Sequence, residues 1–200
     1  MEQKSNEIKS IIQGWTNDRL NNVHTALPGT VESFDRSTNR ATVKPFGSYK
    51  ATDGRQFPYP VVHNAPVYFP CGMGGNAGMT FPVSAGDGCL IIFSMEQMED
   101  YLSGGKTDNL DPRKHSLNDA IVLAGLYSNA VPSIKEHPDD VCFFNGGALL
   151  QLNGNEFKGS VGGTNFRFAD GDLVVNGISL VHHIHGGVMP GGGTTGQPVG

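Results

Sequence analysis

Charge is scarce in this sequence and absent from its end. Asp, Glu, Lys and Arg make up 16% of the 200 residues, against a usual share of about 25%. Asp172 is the last of them, and residues 173–200 hold none. Nineteen acidic residues outnumber 14 basic ones, for a net charge of −5. That balance disfavours nucleic acid as a partner, because such binding rests on a basic face. Arg113, Lys114 and His115 form the one notable basic cluster, and they read as part of a solvated loop. Long apolar runs are missing too. None approaches the roughly 18 residues of a membrane-spanning helix. Met1–Lys9 is polar and lacks the apolar core of a secretory signal, so folding in the cytoplasm, or exit by a route that needs no signal, is expected. Cys71, Cys89 and Cys142 are odd in number and match no zinc spacing. They read as reduced, mostly buried thiols. No paired carboxylates stand at positions that suggest hydrolysis of a glycoside.

Glycine is what the chain has in excess: 28 of 200 residues, about twice the usual share of ~7%. The glycines keep no three-residue period, which excludes collagen. One glycine-rich stretch, Cys71–Gly78, lacks the Lys-Ser/Thr of a phosphate-binding loop and opens no helix. The remaining picture is a mainly β protein.

Residues 5–23 predict the one good helix. Ile8, Ile11, Ile12, Trp15, Leu20 and Val23 fall at helical spacing and form an apolar stripe. Ser5 or Asn6 is placed to cap it. The stripe must pack either on its own domain or on a partner. From Pro28-Gly29 onward the pattern is β. Strand-like runs at Thr30–Phe34, Arg40–Pro45, Cys89–Phe93 and Ala120–Leu126, with shorter pieces between, predict a small barrel such as an OB-fold. Met95–Leu102 reads as one or two helical turns, Gly104–Ser116 as a loop and residues 131–140 as a linker.

Beyond the linker the texture changes. Cys142–Phe144, Ala148–Leu152, Glu156–Val161, Asn165–Phe168 and Leu173–Val175 are short extended runs. Gly146-Gly147, Gly154, Gly162-Gly163, Gly171 and Asn176-Gly177 separate them. Even spacing of this kind suggests a β-solenoid or an intertwined β-prism. So few residues bury too little to fold alone, and their open edges invite other chains. A homo-oligomer is therefore expected.

The final segment carries His182-His183-Ile184-His185. In an extended chain, His183 and His185 point one way, and His182 and Ile184 the other. Two imidazoles from one strand suit Fe, Zn, Ni or Cu. Two ligands make a poor site, whereas three chains about a threefold axis supply six nitrogens. Such a saturated site is a structural staple rather than a catalytic centre. The alternative is a set of exposed polar residues near a glycine-rich terminus.

Three stretches resemble the central spike, or membrane-puncturing, proteins of contractile-tailed bacteriophage baseplates. They are Pro28–Asp35 with Ala41–Pro45; Pro82–Asp87 with the strand to Phe93; and Asn176–Leu180 running into His183–Val188 and Pro190–Gly196. The resemblance implies a homotrimer with an N-terminal helix (1–26), an OB-fold domain (27–130), an intertwined trimeric β-helix (131–182) and a pointed tip (183–200). It implies that His183 and His185 of three chains bind one iron ion through six nitrogens. His182 stands where the family often has a small polar residue. Some relatives carry a lysozyme domain mid-chain, for which this chain has no room. The implied partners are a baseplate hub or tail tube protein, reached through the OB domain and helix, and the host outer membrane. The implied location is the baseplate tip of the virion, made in the host cytoplasm and acting at the outer membrane and periplasm. A spike of a type VI secretion system or phage-like bacteriocin fits the same residues. A His-ligated metalloenzyme or an OB-fold nucleic-acid binder are the competitors from other classes.

Overall fold

The computed structural model describes residues 2–21, 23–51, 53–105, 111–128, 139–187 and 191–192. The chain divides into two units, residues 1–133 and 134–200.

The first unit begins with α1 (Glu2–Asn21). The helix starts earlier than its apolar periodicity suggests, so Ser5 and Asn6 lie inside its first turns rather than at a cap. Ile8, Ile11, Ile12, Trp15 and Leu20 are all exposed, Trp15 at 77%. Of the two readings of the stripe, packing on its own domain is not seen among the described residues.

Five strands then build an OB-like curled sheet. β1 (Ala26–Asp35) pairs with β2 (Arg40–Pro45). Between these strands the Asp35 carboxylate accepts from the Ser37 amide (2.9 Å), the Ser37 hydroxyl (2.7 Å) and the Thr38 hydroxyl (2.8 Å), which closes the turn. β3 (Ser48–Lys50) and β4 (Gln56–Pro58) form a side hairpin, stacking Tyr49 on Phe57. β5 (Val62–Pro66) returns to β2. The glycine-rich stretch is a miniature hairpin, β6 (Cys71–Gly72) and β7 (Ala77–Gly78), around a 3₁₀ turn at Met73–Gly75. β8 (Gly88–Phe93) pairs with β1, and β9 (Ala120–Ala124) with β8; α2 (Glu99–Leu102) is a single turn between them.

The resulting order is β5-β2-β1-β8-β9. A parallel bridge from Val67 to Val122, with the Tyr68 amide donating to the Val122 carbonyl at 2.9 Å, brings the two edges of the sheet together. This is the closure of a five-stranded, partly open barrel. β1 pairs with β2 along one edge and with β8 along the other, and a bulge between Val31 and Ser33 bends it. Gly29 pairs with both Pro45 and Cys89. A Cβ there would lie 2.7 Å from Ile91 Cδ1 and 2.8 Å from the Lys44 carbonyl oxygen. The core follows from period-2 alternation: Val31, Ala41, Val43, Val62, Cys89, Ile91, Phe93, Ala120 and Val122 all point inward. Each fully buried Val or Ile contributes about 1.5–3 kcal/mol.

Two expectations are corrected in this unit. Of the cysteines only Cys89 is buried; Cys142 is half-buried and Cys71 exposed. Burial pushes the Cys89 thiol up to about 11. The Arg113–His115 segment is not simply solvated. Arg113 reaches the buried Asp119, His24 Nδ1 bonds the His115 carbonyl at 3.1 Å, and Lys114 pairs with Glu96.

The second unit is a six-stranded antiparallel meander, β10 (Val141–Asn145), β11 (Ala148–Leu152), β12 (Phe157–Val161), β13 (Thr164–Ala169), β14 (Asp172–Val175) and β15 (Ile178–Ser179), paired in chain order. Every pair is antiparallel, so the chain itself forms no solenoid of parallel rungs. The linker expected at 131–140 falls largely outside the described residues, which resume at 139.

Register runs through these six strands without a slip, and it separates two faces. Val141, Phe143, Leu150, Leu152, Phe157, Val161, Phe166, Phe168, Leu173, Val175 and Ile178 share one face. Phe157, Phe166 and Phe168 form a ring cluster there, with centroids 5.6–6.2 Å apart. Gly159 makes room for Phe166, whose ring carbons would lie 2.7 Å from a Cβ at that position. The other face is mixed: Gln151, Lys158, Ser160, Asn165, Arg167, Asp172 and Ser179 share it with Cys142, Phe144, Leu149, Ala169 and Val174. Most of the apolar face is exposed in the single chain, Phe143 and Val161 at 57% and 61%.

Candidate metal centre at the C-terminal end

The last hairpin sets up the histidine segment. Asn176-Gly177 joins β14 to β15 with φ of 47° and 83°, the left-handed pair that a two-residue hairpin turn requires. This turn places Ser179 opposite Val174. Asp172 lies two residues before Val174, on the same face, so its carboxylate and the Ser179 side chain are diagonal neighbours.

A chain of hydrogen bonds follows. The Ser179 hydroxyl oxygen accepts the His182 amide at 2.7 Å. Asp172 Oδ1 also accepts the Val181 amide at 3.2 Å. These bonds, the Ser179 hydroxyl first among them, hold the Asp172 carboxyl below its ordinary range, with the nearby His182 adding a smaller Coulombic share. His183 Nδ1 lies 2.9 Å from the Ser179 carbonyl oxygen and 3.0 Å from that of Leu180.

The structure brings His183 and His185 together. Their ring centroids are 5.1 Å apart and their planes 81° to each other. Both rings are exposed, and Ile184 between them is 92% exposed. His182 enters the arrangement through its backbone amide. The donor chemistry suits a metal. A carbonyl only accepts, so His183 Nδ1 carries the proton and Nε2 keeps its lone pair. Among the described residues no group of three or more His, Cys, Asp or Glu side chains is assembled within one chain. Two imidazoles are what one copy offers, and residues 188–190 and 193–200 of the expected tip lie outside the described residues.

Charge and spacing singled out the histidines but not Asp172 and Ser179. The sequence signal that could have found them is the Asn-Gly turn, which fixes the register and hence their shared face.

Comparison with known proteins brackets this architecture from both ends. Residues 27–125 match the family model described as the phage protein Gp138 N-terminal domain. That span runs from β1 to the end of β9. Residues 177–199 match the GpV Apex motif, from the glycine of the last hairpin turn through the histidines and beyond. No curated protein is similar enough to the chain to match. A curled OB-like sheet under one match and a His-x-His segment under the other make this chain a central spike protein of the phage baseplate.

Proposed function

We propose that three copies of this chain assemble into a baseplate spike that caps the tail tube and is driven through the host outer membrane when the sheath contracts. The observation that carries this reading is the exposed apolar face of the meander. One layer of sheet has no core of its own. Eleven apolar side chains from Val141 to Ile178 line a single face, and a contiguous exposed surface of that kind marks an interface. Three such faces turned toward a common axis supply one another's core. An intertwined stem also leaves few free edges, and stiffness, not turnover, is what a needle needs.

His183 and His185 of each copy would hold one iron ion, giving six imidazole nitrogens. The metal would fasten three chain ends that otherwise fray. A site filled by protein ligands keeps no open position for substrate, so the proposed role is structural and not enzymatic. α1 and the OB-like barrel are the proposed attachment to a hub or tail tube protein, since the stripe of α1 finds no cover among the described residues. The uncharged end after Asp172 suits entry into hydrocarbon, where each ion costs about 2.5–3.5 kcal/mol or more.

Metal analysis of the purified full-length assembly tests the staple. One iron per three chains is expected, with loss in His183→Ala and in His185→Ala. An assembled wild-type protein without stoichiometric metal overturns it.

A further inference from the structure

We propose that Asp172 and Ser179 are positioning residues, which lock His183 in the tautomer that leaves Nε2 free to point at a ligand. The inference deepens the metal reading above and rests on it for the identity of the ligand.

The problem they solve is specific to an exposed histidine. An imidazole in water carries its proton mainly on Nε2, the wrong nitrogen to protonate if Nε2 is to donate a lone pair. The tautomer is set by the hydrogen bond made at the other nitrogen. Here that bond is made to backbone, by Nδ1 to the Ser179 and Leu180 carbonyl oxygens. Those carbonyls can serve only if the chain from Ser179 to His183 is held as a tight turn.

Three contacts hold it. The Leu180 amide donates to the Leu173 carbonyl at 2.8 Å, which ends the sheet. The Asp172 carboxylate takes the Val181 amide, and the Ser179 hydroxyl takes the His182 amide. Two successive amides are thereby satisfied by two neighbouring side chains of one sheet face. The last charged residue of the chain is therefore placed where it shapes the histidine turn. Partners of this kind around a metal-binding histidine typically change metal affinity 10–100-fold when removed.

The test uses full-length, metal-free protein labelled with ¹⁵N-histidine, held at a pH where imidazole is neutral. Wild type should show His183 as the Nδ1–H tautomer. Ser179→Ala and Asp172→Ala should move it toward Nε2–H and weaken binding of added Fe(II) 10–100-fold. Ser179→Thr and Asp172→Asn keep the hydroxyl and an acceptor oxygen, and should restore both readouts. Unchanged mass and strand content in each variant exclude a general loss of fold. Nε2–H in wild type, or Nδ1–H retained in both alanine variants, overturns the proposal. Tautomers that behave as stated in a wild type that binds no Fe(II) uphold the positioning and overturn the metal reading instead.

Discussion

Arg113 and Asp119 form a forked ion pair across the rim of the barrel. Arg113 Nε lies 2.9 Å from Asp119 Oδ2, and its Nη2 3.2 Å from Oδ1. Asp119 is 2% exposed, and the Met98 amide donates to its Oδ1 at 2.9 Å. The pair fastens the long β8–β9 connection to the barrel wall. The hydrogen bonds that Arg113 donates to Asp119 are the first cause of its raised pKa. Removing the cation leaves a buried carboxylate without its counter-charge. Arg113→Met should therefore lower the stability of the barrel. Urea unfolding of the full chain, followed by hydrogen exchange at β9, checks it. A midpoint unmoved from wild type would contradict the pairing.

Cys89 gives the barrel an alkaline limit. Its folded-state pKa, about 11, stands above the ordinary 9.0 because burial penalises the thiolate. The folded state thus holds the proton more tightly than the unfolded one. The stabilisation is full below the unfolded pKa and is lost as pH rises from 9 toward 11. At pH 10 the loss is roughly 1 kcal/mol relative to pH 7. Cys89→Val should lack this added decline. Alkylation should modify exposed Cys71 readily and Cys89 only on unfolding.

Trp15 reports on α1. It is the chain's single tryptophan and lies 77% exposed on the helix stripe. Free spike should therefore emit as a hydrated indole and be quenched by acrylamide without protection. Adding the proposed hub partner should shift the emission to the blue and shield it. Protection in the spike alone would mean that α1 is covered by another copy before the hub arrives.

How much of this was legible beforehand depended on where the information sits. Arg40–Pro45, Ala148–Leu152 and the Asn176-Gly177 turn could be read directly, because local alternation and turn residues define them. The β3–β4 hairpin could not. Its Tyr49–Phe57 pair is separated by a polar stretch that reads as loop. The Arg113–Asp119 bond was equally hidden, because a basic cluster looks solvated until the buried carboxylate it meets is known. The histidine pair was legible from its spacing. The support from Asp172 and Ser179 was not, since it exists only once β14 and β15 are in register. The amphipathic character of the meander was also missed, because glycine turns reset the strand parity five times.

The central claim is that this meander is one third of a stem. The mass of the full-length chain in solution, by light scattering or sedimentation, tests it most directly. The account predicts three chains per particle. Phe157→Asp, on the apolar face, should break that particle, and Arg167→Asp, on the opposite face, should leave it whole. A stable, folded single chain with the Phe157–Phe166–Phe168 cluster in solvent would contradict it.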